Sequence, residues 1–144
     1  MYLLFGSNTA IMSSGWTVGD SITISSLAIK VYTAYQDGPE DYRHILEDIA
    51  ALRDLIDKVT QHLEITPVSS VGRPYGQNAL KSCQIVFEDL NSFMEKYKRL
   101  ASANQKLASL GKKPIATLRE RLISNTILLN GFARRFVTPA ILLH

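Results

Sequence analysis

The chain has 144 residues, 46% of them hydrophobic and 20% charged, with a formal net charge of +3. That is the length of one domain, able to bury roughly 68–70% of its unfolded surface without a metal or a disulfide. The lone Cys83 excludes an internal disulfide, no run approaches the roughly 18 apolar residues of a spanning helix, and MYLLFG lacks the positive flank of a signal peptide, so a cytoplasmic protein is expected.

The charge is unevenly spread. Residues 1–72 carry four bases and nine acids, whereas residues 73–144 carry twelve bases and four acids. Such a split fits either a basic face for an acidic partner, or acidic and basic helices packed side by side.

Residues 1–16 show no period and read as a loose arm, with Met12 as an alternative start. A first helix is expected over 18–36, where Ile24, Leu27, Ala28, Val31, Tyr32 and Tyr35 keep helical spacing. Lys30 is the only charge between Ser21 and Gln36. Asp37-Gly38-Pro39 breaks the chain briefly, which makes the first two helices antiparallel neighbours.

The second helix, over 41–63, is the clearest. Tyr42, Ile45, Ile49, Leu52, Ile56, Val59 and Leu63 alternate three and four apart along one stripe, and Asp54 sits four residues before Lys58 on the other side. Residues 64–77, EITPVSSVGRPYGQ, hold two prolines, two glycines and two serines and read as a loop.

A third helix is expected over 78–101, on Leu80, Cys83, Phe87, Leu90, Met94, Tyr97 and Ala101. A polar segment follows, from which Leu107 and Leu110 can tuck against the bundle. The fourth helix, over 114–138, has a stripe of Ile115, Leu118, Leu122, Leu129 and Phe132, interrupted by Asn125 and Thr126. Gly131 should weaken it by about 1 kcal/mol relative to alanine. Residues 139–144 form a tail. The expected fold is all-α, an antiparallel four-helix bundle over 17–138.

Chemistry is sparse. No G-x-S-x-G elbow, phosphate-cradling loop or cofactor motif occurs, so catalysis and cofactor binding are not expected. His44 lies one turn before Glu47 and Asp48, but without a second histidine a solvated helix face explains it better than a metal. His62 suits the negative end of its helix, and Cys83 reads as a small buried hydrophobe.

Lys96, Lys98, Arg99, Lys106, Lys112, Lys113, Arg119 and Arg121 form a candidate basic patch. Only Tyr97 is placed to stack on bases, so nucleic acid is the weakest partner class and anionic lipid fits the charge as well. On the first helix, Ile22, Ile24, Leu27, Val31 and Tyr35 form a candidate membrane or partner surface, which should be mostly buried in the resting bundle.

Several stretches, in order, resemble one family. They are Trp16-Thr17-Val18-Gly19-Asp20, Leu27-Ala28-Ile29-Lys30-Val31-Tyr32, the Gly38-Pro39-Glu40-Asp41-Tyr42-Arg43 turn, Cys83 with Phe87-Glu88-Asp89-Leu90, Lys96-Tyr97, and Leu118-Arg119-Glu120-Arg121-Leu122-Ile123-Ser124-Asn125-Thr126. Together, over about residues 13–132, they resemble the N-terminal HeLo-like helical domain of fungal NLR-like (STAND) and ankyrin-type proteins. The resemblance implies a cytoplasmic signalling module without catalytic residues, linked to incompatibility or regulated cell death. Its partner would be another protein or its own copies, contacted through the helices. The rival it implies is a membrane-active effector that uses the first helix. Residues 1–11 precede the usual start of such domains, and no nucleotide-binding module or repeat follows Phe132 in this sequence.

Overall fold

A computed structural model describes residues 18–65, 71–101 and 112–137. The expected arm and tail, and the segment with Leu107 and Leu110, lie outside the described residues. Within them stand four α-helices and no strand: α1 (Val18–Gln36), α2 (Leu46–Ile65), α3 (Arg73–Ala101) and α4 (Lys112–Phe132). The chain is an all-α four-helix bundle.

The stripe from Tyr42 to Leu63 is buried throughout, joined by Leu55. The helix expected over 41–63 begins instead as a 3-10 helix (Glu40–Ile45), before α2 takes over at Leu46. The extended backbone at Pro39 leads into a Tyr42 N–H bond to the Pro39 carbonyl at 3.0 Å, three residues back. A three-residue period then sets Tyr42 and Ile45 on the same side. There the Tyr42 ring meets Phe93 and Tyr97 edge-on, at 5.7 and 5.3 Å between centroids.

α3 starts at Arg73, five residues ahead of the expected 78. Pro74 falls in the first turn, where no N–H is needed, so the motif that reads as a breaker opens the helix instead. Gly76 is required there by proximity: an added Cβ would stand 2.9 Å from Phe132 Cζ and 3.1 Å from its Cε1. In α4, Asn125 does not break the stripe but lies buried within it. Its Nδ2 donates to the Arg121 carbonyl at 2.9 Å, and the Thr126 hydroxyl donates to the Leu122 carbonyl at 2.9 Å, so both polar groups are satisfied one turn back. After Phe132 the helix widens into a π turn (Ala133–Val137), so the regular helix stops short of the expected 138.

α1 packs on α2 and α3, and α4 packs on α3 and α2; α1 faces α4, and α2 faces α3, only across the diagonals. Cross-links fix the directions. Ser21 hydroxyl meets Thr60 hydroxyl at 2.6 Å, pairing the start of α1 with the far end of α2. The Tyr35 hydroxyl donates to the Leu90 carbonyl at 2.9 Å, so α1 runs parallel to α3. Arg119 meets Asp48 at 2.8 Å, so α2 runs parallel to α4. The hairpins α1/α2 and α3/α4 are antiparallel, and the connection from α2 to α3 crosses a diagonal. One end of the bundle, termed the lower end, therefore collects the start of α1, the end of α2, the start of α3 and the end of α4.

Candidate interaction surface

The apolar residues offered by α1 are mostly core. Ile24, Val31 and Tyr35 are buried, Leu27 is partly buried against the core, and Ile22 alone is open, at 61% exposure. This is the resting arrangement expected from the sequence. α1 is also tied in place by polar contacts: Ser21 to Thr60, the Ser25 hydroxyl donating to Asp57 at 2.6 Å, and Tyr35 to Leu90. No described helix is long and apolar enough to cross a membrane.

The candidate basic patch places Lys96 and Arg121 in the lining of one pocket between α3 and α4. Arg119 is taken up by Asp48 and Arg121 by Asp89, both at 2.8 Å, so two of its cations bridge helices rather than wait for a ligand. Lys96, Lys98 and Arg99 are exposed on the last turns of α3. Lys106 and the side chains of Lys112 and Lys113 lie outside the described residues.

Other chemistry-bearing groups are occupied or inert. His44 Nδ1 donates to the Asp41 carbonyl at 2.7 Å. Among the described residues no group of three His, Cys, Asp or Glu could hold a metal ion. Cys83 has no exposure, and burial pushes its thiol up to about 12, which leaves no thiolate for nucleophilic work. Burial raises the Tyr35 hydroxyl strongly, with Tyr42 adding to it; Tyr42 itself is raised by burial, then by Tyr97 and Asp41.

The surface that stands out is the outer side of the α3/α4 hairpin at the lower end. Tyr75, Ala79 and Ser82 on one wall, and Leu128, Phe132 and Phe136 on the other, border a groove of about 610 Å³. Its rim is open and apolar: Ile127 is 66% exposed, Leu128 61% and Tyr75 53%, with Ile123 and Ile85 further along the same hairpin. The rings are ordered. Tyr75 stacks on Phe136 at 5.2 Å and 18°, Phe136 leans on Phe132 at 5.8 Å, and the Arg135 guanidinium lies 5.2 Å from the Phe136 centroid and 5.9 Å from that of Tyr75. Large apolar side chains so exposed on one continuous strip mark interaction sites more often than bare solvent faces.

Of these residues, Phe132 is placed by its spacing on the core stripe of α4 and none is placed on a partner surface, although a signal is present in the sequence. Ile127-Leu128-Leu129 is a run of three, and a helix that buries one stripe hides only Leu129 of the three. Comparison with known protein families, with curated proteins and with solved structures gives no match.

Proposed function

We propose that this chain is a non-enzymatic interaction module that docks a protein on the outer face of α3 and α4. The observation that carries the reading is the exposed apolar groove around Leu128 and Tyr75. Ile127, Leu128 and Tyr75 are half to two-thirds exposed, so leaving them in water forfeits roughly 1–2 kcal/mol of burial per side chain, which a docked partner recovers in part. The resemblance to HeLo-like domains supports placing the module in a fungal cytoplasm, at the head of an NLR-like signalling protein tied to incompatibility or regulated cell death.

The rival in which α1 leaves the bundle to attack a membrane draws less support. Release would expose Ile24, Val31 and Tyr35 and break the Tyr35–Leu90 and Ser21–Thr60 contacts at once. Such a switch needs a trigger that stabilises the open state by as much.

The test is position-specific crosslinking in fungal cells, with a photoreactive phenylalanine analogue in place of Leu128 or, as control, of exposed Ala51 on the outer face of α2. Protein adducts from position 128 and none from 51 are expected. Equal capture at both positions, or no protein captured at 128, ends the reading.

A further inference from the structure

The groove between α3 and α4 differs in charge from the rest of the hairpin. Towards the upper end, Asp89 pairs with Arg121, and Asp48 of α2 pairs with Arg119. At the lower end the α3/α4 hairpin itself supplies no such acid; Asp20 and Glu64 at that end belong to α1 and α2. From Arg73 to Phe87 and from Leu122 to Val137 there is no Asp or Glu, while Arg73, Lys81, Arg134 and Arg135 fall in those two stretches. None of these four cations joins an ion pair among the described residues. Arg73 Nε is buried and has no hydrogen-bond partner among them. Arg135 is held over the Tyr75 and Phe136 rings, on the rim of the apolar groove. Of the four, Arg135 lines the apolar groove, with no ion-pair partner among the described residues.

Resting on the reading of this face as a docking surface, we propose that its occupant is an acidic amphipathic helix of another protein. Aliphatic side chains of that helix enter the groove beside Leu128, and its flanking carboxylates meet Arg135 and Arg134. Shape argues for a helix. Both walls are themselves helices with lining residues three and four apart, which is the surface into which helical ridges fit. Strand addition has no sheet edge to use among the described residues. Charge selects the sign of the partner, because a cationic helix would set like charges against Arg134 and Arg135. Stacking on two rings already fixes the Arg135 guanidinium, so a carboxylate ordering there loses less side-chain freedom.

The probe is a fluorescent peptide of about 14 residues, roughly 21 Å as a helix, with leucines along one face and glutamates beside them. Its twin carries lysine at each glutamate. By anisotropy with the purified protein, the glutamate peptide should bind at least about tenfold more tightly than the lysine twin. Leu128→Ser, at an exposed position that leaves the core intact, should abolish binding. Arg135→Gln should weaken the glutamate peptide about three- to tenfold and leave the lysine twin no weaker, or slightly tighter. Raising salt should weaken the glutamate peptide. Equal binding of the two peptides, or binding of neither, overturns the proposal. So does Leu128-dependent capture of vesicles containing phosphatidylserine without peptide selectivity, which points to a membrane. Leu128-dependent self-association that excludes the peptide points to a second copy and also overturns it. Crosslinking at position 128 with no peptide preference would leave the interaction module standing and remove only the acidic helix.

Discussion

Two Gly→Ala substitutions on the same hairpin should move stability in opposite directions. Alanine is favoured over glycine in a helix interior by about 0.8–1.0 kcal/mol. At Gly131 an added Cβ meets nothing within 4 Å, so Gly131→Ala should stabilise by up to about 1 kcal/mol, a rise of roughly 2–4 °C in Tm for a chain of this size. At Gly76 the same methyl meets Phe132 Cζ at 2.9 Å. The ring cannot simply swing away, since Phe132 is buried and Phe136 leans against it. Overpacking of this kind costs about 1–3 kcal/mol, and the helix gain in a first turn offsets roughly half a kcal/mol, so a net loss of about 0.5–2.5 kcal/mol is expected. Urea unfolding followed by far-UV circular dichroism measures both. Shortening the obstacle supplies the control: Gly76→Ala with Phe132→Leu should lose at least about 1 kcal/mol less than the two single changes added together. Equal stabilisation by both alanines, or strict additivity in the double variant, would refute the close seating of Phe132 on Gly76, and with it the described floor of the groove.

Three further outcomes follow from the core. Leu52→Asp places a charge at a fully buried position and should cost more than about 3 kcal/mol, whereas Ala51→Asp on the exposed side should stay within about 1 kcal/mol; equal losses in thermal melts would reject the α2 stripe. The Cys83 thiol is raised from 9.0 to about 12 by burial, so its contribution to stability is whole below about pH 9 and is lost as pH climbs towards 12. The advantage of wild type over Cys83→Ala in urea melts should therefore shrink by about 2 kcal/mol between about pH 8 and pH 10.5, and a constant difference would contradict the burial. With α1 anchored in the core, the domain fused to an oligomerising scaffold should leave anionic liposomes intact; leakage that Leu27→Asp abolishes in a folded protein would favour α1 release instead.

The parts of this bundle that were legible in the sequence are those where one side chain decides one thing. The three-four alternation from Tyr42 to Leu63 corresponds to burial because each of those residues can only point one way on a helix. The 3-10 form of Glu40–Ile45 was not legible, since Tyr42 and Ile45 satisfy both helical periods and the choice rests on Phe93 and Tyr97, some fifty residues away. The start of α3 was hidden for a similar reason. Pro74 and Gly76 read locally as breakers, yet the first suits an opening turn and the second answers to Phe132 from α4. Of the basic residues, spacing alone said nothing of Asp48 and Asp89, whose ion pairs depend on which helices become neighbours across the diagonal topology. The exposed groove is not legible in the stripe of α4, because Ile127 and Leu128 lie beside the buried Leu129 and the opposing Tyr75 comes from another helix.

The uneven charge of the two halves fits both of its alternative meanings, each at a different end of the molecule. At the upper end the acidic and basic helices lie side by side, and Asp48 with Arg119 joins the acidic half of the chain to the basic half. Such half-exposed pairs contribute little energy, but they fix which helices sit together. At the lower end the same hairpin continues without acids, and Arg134 and Arg135, the latter over Tyr75, join no ion pair among the described residues. Cations used for packing need carboxylates within reach, and along this part of the hairpin neither α3 nor α4 supplies one. On the described α3/α4 hairpin, apolar exposure and a cation without a described ion-pair partner thus meet at the groove. α1 buries Ile24, Val31 and Tyr35 and exposes Ile22 and Ile29, with no groove of comparable size beside them. That coincidence is the physical reason for locating recognition on the hairpin of α3 and α4 rather than on α1.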